Sequence, residues 1–496
     1  MRAAVFAAKI ALSLLLLAGG GLHAENWPMY GRNLHHSFSN PKSGINSSNV
    51  WALQKVWTFW TGDAVSASPT VVDGVVYVGS WDGNFYALNA AWPYPPKWVF
   101  QVDCQNNSKV LPWPPRCGPS PPRQNTDGGL ITSSAAVAVV DGIKSVFFAG
   151  GKTLYRLNAD NGLLIWKRVI CGNPVPGCDD PKKHRDDDPT RIFSSPAVDD
   201  GLVFIGHTVD GDSGYSGGFE AIDAVSGDVG WRFDLDPLRP GGLNRGCGNV
   251  WSSAAVDRQN KLVFFGTSDC HEDAAPPYHE AVIALTTGGE FKWVFRPRES
   301  DTCDFDFGAS PNIINIGSGR VGIGGKDGTY YLLYESDESG HKAGQVVWSK
   351  RVVFGGSIGG FFGAAAFDGF HIFSSTGVGD PQGCSGNPLP QEPSMHALNV
   401  WTGQALWEGI FNESFGATTV SNDAVFAGFA GASPWISPAV KVYNAGSGNL
   451  LRIFSMPGQV NSAAVPVGRM LFVTSGNSTD GKGGAVHAFA LPWWVR

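Results

Sequence analysis

Short apolar runs of strand length, each closed by a polar turn, recur along the chain from about residue 55 to the end. In Ser66–Ala90 (SASPTVVDGVVYVGSWDGNFYALNA) a start of small residues leads into an apolar run. An Asp-Gly turn, a second apolar run, another turn and a third run follow. Phe193–Trp231 repeats the plan, as FSSPAVDDGLVFIG and then FEAIDAVSGDVGW. Further copies start at Ser133, Ser252, Ala309, Gly363, Gly416 and Ser462, which makes eight. Runs of this length, rich in Val, Ile and Phe and bounded by Gly and Asp, predict β-strands. Their alternation is imperfect, as expected where neighbours cover both faces of a sheet.

An aromatic residue closes each copy: Trp57, Trp98, Trp166, Trp231, Trp293, Trp348, Trp407 and Phe454. The step is about 57 residues, room for four short strands and their loops. A fixed period of sheet-sized units is the signature of a repeat architecture. Eight four-stranded antiparallel sheets around an axis make an all-β, eight-bladed β-propeller. The last copy, Ser462–Leu491, supplies three strands, and Lys55–Phe59 (KVWTF) reads as a lone fourth. This N-terminal strand is expected to complete the last blade and remove an open sheet edge. Segments such as Ala221–Trp231 (AIDAVSGDVGW), Leu157–Trp166 (LNADNGLLIW) and Ala397–Trp407 (ALNVWTGQALW) share a glycine turn ahead of the Trp. The glycine supplies a positive φ, and the indole is expected to pack flat between blades.

Composition agrees with this picture. The chain has 65 Gly, 32 Pro, 18 Trp and 30 Phe, and only 16% charged residues. The net charge of −7 gives no basic surplus for gripping phosphates, so nucleic acid is not an expected partner. Arg2 and Lys9, the apolar run Ile10–Ala18 and the small residues before Ala24 form a three-part export signal over residues 1–24. The apolar run is too short to span a bilayer. The remainder, 25–496, is expected to form the single propeller, periplasmic or secreted, with no membrane span. Export makes the eight Cys candidates for disulfides. Short spacing favours Cys104–Cys117 and Cys171–Cys178. The partners of Cys247, Cys270, Cys303 and Cys384 stay open. No Cys-x-x-Cys-His motif occurs, so no covalent haem is attached.

The repeats and their Trp turns resemble the pyrroloquinoline-quinone (PQQ) dependent quinoprotein alcohol dehydrogenases. Asn26–Arg32 (NWPMYGR) looks like that family's N-terminal segment. The resemblance covers essentially the whole chain after the export signal. It implies PQQ and a metal, Ca²⁺ or a lanthanide, and it picks out polar exceptions to the repeat as site residues. Trp251 precedes a strand where the other Trp residues end one, and matches the floor beneath the quinone; another packing Trp is the plain alternative. Asp269, in Gly266-Thr267-Ser268-Asp269, stands where the family has an Asn metal ligand, and a carboxylate is an equally hard oxygen donor. Asp212 falls where a Glu ligand is usual, with Asp210 as its competitor and an ordinary Asp-Gly turn as the plain reading. Asp304 and Asp306, in Cys303-Asp304-Phe305-Asp306-Phe307, share the position of the catalytic base. Alignment on Pro311 favours Asp304 and alignment on Asp306–Ala309 favours Asp306. A second Asp there also resembles the lanthanide-using branch. Lys326, before Asp327-Gly328, matches a cation beside the quinone carbonyls, or is a turn lysine. Thr208 is the candidate contact for a quinone carboxylate, since Phe193 stands where the family has Thr. The adjacent Cys pair of many relatives is absent, and Asp127-Gly128 occupies about that place.

The resemblance therefore implies an exported alcohol dehydrogenase. Its metal, held by Asp212, Asp269, Asp304 and Asp306, would polarise a quinone carbonyl. The Asp304/Asp306 pair would remove the hydroxyl proton, and Lys326 would stabilise the reduced oxygen. Electrons would leave to a separate soluble cytochrome c. The missing haem motif and Cys pair look most like the polyvinyl-alcohol dehydrogenase branch, pointing to small, secondary or polymeric alcohols. Two rivals stand beside this reading: a cofactor-free propeller that binds proteins, and a quinoprotein acting on aldoses or aldehydes.

Overall fold

The computed structural model describes residues 25–102, 130–172, 190–209, 216–236, 248–269, 278–299, 303–378, 393–410, 413–431, 437–477 and 482–495. The expected export signal, Asp210, Asp212, Asp127-Gly128 and six of the eight Cys lie outside these residues. Within them the strands form eight four-stranded antiparallel sheets, an eight-bladed propeller. In blades 1 to 7 the four strands follow chain order from the inside out. Blade 8 takes Val465–Val467, Met470–Ser475 and Ala485–Ala490, and Gln54–Trp60 completes it as the outer strand. The pairing runs from Gln54 opposite Ala490 to Trp60 opposite Ala485, the closure that the lone KVWTF strand predicts.

The innermost strands are short and almost wholly buried, for example Thr70–Val72 in blade 1, Ala255–Asp257 in blade 4 and Asn312–Ile314 in blade 5. The small residues ahead of them link the blades. Ser68 N–H donates to Ser134 Oγ, Ser134 N–H to Ser195 Oγ, Ser195 N–H to Ser253 Oγ and Ser253 N–H to Ser310 Oγ, each at 2.9 Å. Ala463 N–H donates to Ser68 Oγ at 2.9 Å and brings in blade 8. Small side chains are needed here because the blades converge on the axis. The segment from Trp27 to Asn40 threads across the inner strands themselves. Its carbonyls at Pro28, Leu34, His35, Ser37 and Phe38 accept from Val137, Val256, Ile313, Phe367 and Val420, one in each of five blades, at 2.7–2.9 Å. Trp27 pairs with Val71 of blade 1, and Asn40 Nδ2 donates to Pro466 O of blade 8 at 2.9 Å. Trp27 and Phe38 are 1% and 0% exposed, so this segment seals the axis with apolar rings.

The blade-ending Trp residues do what their spacing predicts. The Nε1–H of Trp57, Trp98, Trp166, Trp231, Trp293, Trp348 and Trp407 donates to a carbonyl of the following blade, at Ala90, Ala159, Ala224, Thr287, Glu335, Val400 and Ala445, over 2.7–3.1 Å. Phe454 cannot donate, and packs its ring on Phe489 at 4.7 Å instead. The glycine in the turn serves the neighbouring blade as well as its own. Gly162 has φ +74°, and a Cβ there would lie 2.7 Å from Cδ2 of Trp98. Replacing Trp98 by Phe removes the donor and leaves the Ala159 carbonyl and a small void behind. The expected loss is about 1–3 kcal/mol, read as a lower unfolding temperature with the β-sheet circular dichroism unchanged.

Cys171 and Cys303, the described cysteines, are both disulfide-bonded. No helix among the described residues is long and apolar enough to cross a membrane.

Candidate active site

Blades 4 and 5 place a compact group of polar side chains at the axial end where their inner strands begin. Trp251 stands just ahead of the inner strand of blade 4. Its segment is pinned by Ser252, whose Oγ accepts from Gly266 N–H at 2.8 Å and donates to Gly266 O at 2.9 Å. Asp269 follows the second strand of that blade, Leu262–Gly266, where Ser268 N–H donates to Asn249 O at 2.9 Å. Asp304 and Asp306 precede the inner strand of blade 5. Lys326 occupies the turn between Arg320–Gly324 and Thr329–Tyr334. The last two segments are stitched together by Lys326 N–H donating to Asp306 O at 2.9 Å.

The side chains converge. One oxygen each from Asp269, Asp304 and Asp306 lies within 4.8 Å of the others. Lys326 Nζ is 2.5 Å from Asp304 Oδ2 and 3.6 Å from Asp306 Oδ1. Trp251 Nε1 donates to Asp306 Oδ2 at 3.2 Å. Lys326 and Asp306 are buried, at 3% and 2% exposure, whereas the Asp304 side chain is 31% exposed. Burial pushes the Asp306 carboxyl up to about 7. Asp304 and Asp269 push the same way, while the Lys326 ammonium and the Trp251 indole act against them. Three carboxylates facing one ammonium leave a surplus of negative charge in a desolvated place, which is costly unless a proton or a cation balances it.

The donor set suits a hard cation. It offers carboxylate oxygens alone, and Asp306 Oδ1 is buried without a hydrogen-bond donor, 3.6 Å from Lys326. The surroundings also suit a planar, oxygen-rich ring such as PQQ. Trp251 offers a half-buried indole, and a Cβ on Gly308 would come within 1.8 Å of its Cη2, so only glycine leaves the ring this position. Phe362 lies beside it, 6.0 Å from Trp251 between ring centres and tilted to it, with Lys326 Nζ 5.6 Å from its own centre. Phe415 meets Phe362 edge-on at 5.1 Å. Gly308→Ala is expected to displace the indole and weaken PQQ binding by about tenfold or more, measured by quenching of Trp fluorescence in a PQQ titration.

Of the residues singled out in the sequence, the fold brings together Trp251, Asp269, Asp304, Asp306 and Lys326. Asp212 lies outside the described residues. Thr208 is buried in blade 3, exchanging backbone bonds with Arg191 at 2.8 and 2.9 Å. Its link to the group is indirect, through Val209 N–H donating to Asn249 Oδ1 at 2.8 Å. Gly308, Phe362 and Phe415 escape the sequence reading. The run Gly-Gly-Phe-Phe-Gly at 359–363, a blade start carrying two large aromatics where small residues are the rule, was the available signal.

The family model for the β-propeller domain of PQQ glucose/ethanol/alcohol dehydrogenases matches residues 27–333. The chain belongs to this family of quinoprotein oxidoreductases. Polyvinylalcohol dehydrogenase of Pseudomonas sp. is 23% identical over 428 residues, which span 77% of this chain and 59% of that protein. The chain thus spans about three fifths of the length of this relative. Among solved structures, quinohemoprotein alcohol dehydrogenase from Comamonas testosteroni superposes with a TM-score of 0.70 at 17% identity, covering 99% of this chain and 85% of the other. A europium-containing methanol dehydrogenase gives 0.69 at 16% identity, covering 97% and 100%. At such identities the two structures speak for the fold alone.

Proposed function

We propose that the protein is an exported, PQQ-dependent dehydrogenase that oxidises an alcohol, secondary or polymeric, in the periplasm or outside the cell. The observation that carries this reading is the meeting of Asp269, Asp304, Asp306, Lys326 and Trp251 at one axial end of the propeller. Asp269, Asp304 and Asp306, with Asp212, would hold Ca²⁺ or a lanthanide, and Trp251, Lys326 and Thr208 would hold PQQ. When bound, the quinone and metal would supply an electrophilic carbonyl suited to hydride.

The chain's own groups supply the rest. Asp306, buried beside Trp251, takes the hydroxyl proton at a carboxylate oxygen. Asp304 is one third exposed and paired with the same Lys326, so it can pass that proton to water. Lys326 Nζ carries positive charge to the place where oxygen gains electron density. The aromatic pair Phe362 and Phe415 keeps the neighbourhood dry and offers an apolar surface to the alcohol. A separate soluble cytochrome c would serve as the electron acceptor.

The test is reconstitution of apoprotein with PQQ and either Ca²⁺ or La³⁺, followed by dye-linked oxidation of a panel of primary, secondary and polymeric alcohols, an aldose and an aldehyde. The expected result is alcohol oxidation that needs both quinone and metal. Binding of no quinone under either metal would refute the enzyme reading and leave a protein-binding propeller. Turnover of the aldose or aldehyde alone would refute the alcohol as substrate.

A further inference from the structure

We propose that Arg298 is a positioning residue that locks the acidic loop and the lysine turn of this site into one register; the proposal rests on the metal-binding reading above. Arg298 lies just beyond the outer strand of blade 4, Phe291–Phe295, with its side chain 20% exposed. Nη1 donates to Phe305 O at 2.7 Å, the carbonyl between Asp304 and Asp306. Nη2 donates to Asp327 Oδ2, on the residue next to Lys326. The guanidinium also lies 5.1 Å from the centre of the Phe305 ring. Asp327 is itself fixed by Tyr331 OH at 2.6 Å and Thr329 N–H at 2.9 Å. Glu280 Oε2 is 4.0 Å from Nη1 and helps to balance its charge.

Two features give this fork a purpose. Asp304 has φ +58°, a left-handed conformation that a non-glycine residue keeps only when its surroundings over-determine it. On one side its neighbour Cys303 is disulfide-bonded; on the other, Phe305 is gripped by Arg298 through both carbonyl and ring. That conformation aims Asp304 at Lys326, 2.5 Å away, and at the oxygens of Asp269 and Asp306. Planar Arg can serve two acceptors in different segments at fixed angles, whereas a Lys ammonium lacks that fork geometry.

Charge and position make opposite predictions. Arg298 is a cation near an acidic cluster, so by charge alone its removal would tighten the binding of a metal ion. As a positioning residue its removal loosens that binding, as loss of an outer partner of a metal ligand does, by about 10- to 100-fold. The experiment titrates full-length apoprotein with Tb³⁺ alone, reading Trp-sensitised luminescence, alongside the unfolding transition. Arg298→Met and Arg298→Lys are both expected to weaken Tb³⁺ binding about tenfold or more while unfolding cooperatively. In an Asp304→Asn background Arg298→Lys is expected to add little, because the group it aims is already gone. Wild-type or tighter binding in Arg298→Met would overturn the proposal. So would a loss in Arg298→Lys that persists undiminished beside Asp304→Asn, or a failure of Arg298→Lys to unfold cooperatively, either of which makes the arginine a general fold residue. Wild-type protein that binds no Tb³⁺ would remove the metal reading and this proposal together; tight wild-type binding with unchanged variants removes the proposal alone.

Discussion

Asp306→Asn is expected to lower turnover of the reconstituted enzyme by about a thousandfold, within the range for loss of a general base, while making the metal-free protein more stable at pH 8. Both effects follow from one carboxyl group. Its ordinary value is 3.8, and burial raises it to about 7 in the fold. Below pH 4 the folded and unfolded states both carry the proton, and the stability associated with it is fully present. Between about 4 and 7 only the folded state holds the proton, so stability falls as pH rises, at up to about 1.4 kcal/mol per unit. Above 7 the loss is complete. An amide has no such titration, so the variant should lack this fall. Chemical denaturation in a chelator from pH 4 to pH 8 measures it, and added Ca²⁺ should flatten the wild-type curve. Asp304→Asn should cost less turnover, since Asp304 is the more exposed of the two. Equal losses in the two variants would make the pair a single base.

Lys326→Met carries the second large effect. The ammonium is buried against Asp304 and Asp306 and answers three carboxylates, so its removal leaves like charges facing one another without a counter-ion. Breaking such a pair from one side costs about 3–5 kcal/mol. The metal-free variant should therefore unfold at a markedly lower temperature at pH 8. Ca²⁺ should restore much of this, because a divalent ion supplies the missing charge. On the proposed mechanism, turnover after reconstitution should still fall by about a hundredfold or more, because a cation beside the reduced oxygen would be lost. Calorimetry with and without Ca²⁺ separates the two roles, and wild-type stability in the metal-free variant would refute the charge balance argued here.

The propeller was legible because its information is periodic. Eight copies of one strand plan and the Trp series report on contacts that every blade repeats, and Gln54–Trp60 could be read as an orphan strand for the same reason. The candidate site was legible where it breaks the period: Trp251 ahead of a strand instead of behind one, or Asp where the repeat has none. The choice between Asp304 and Asp306 had no answer in one dimension. In the fold the two differ chiefly in burial, and the buried Asp306 accepts from Trp251 of the preceding blade. Arg298, Gly308, Phe362 and Phe415 were missed because their importance lies in what they touch across blade boundaries. Arg298 joins two segments of the site, and Gly308 makes room for an indole 57 residues upstream, neither of which a spacing rule can express.

The seam of blade 8 has a consequence in time. Thr58 bonds His487 at 3.0 Å across 429 residues of chain, and Gln54–Trp60 waits for Ala485–Ala490 before it has a neighbour. Contacts of such separation are slow to form, because the entropy of closing the loop is lost before any bond repays it. The ring should therefore assemble blade by blade and shut late. Once shut, it can come apart readily only by reopening that seam or by tearing a blade from both its neighbours. Its lifetime should thus be governed by an unfolding rate more than by an equilibrium.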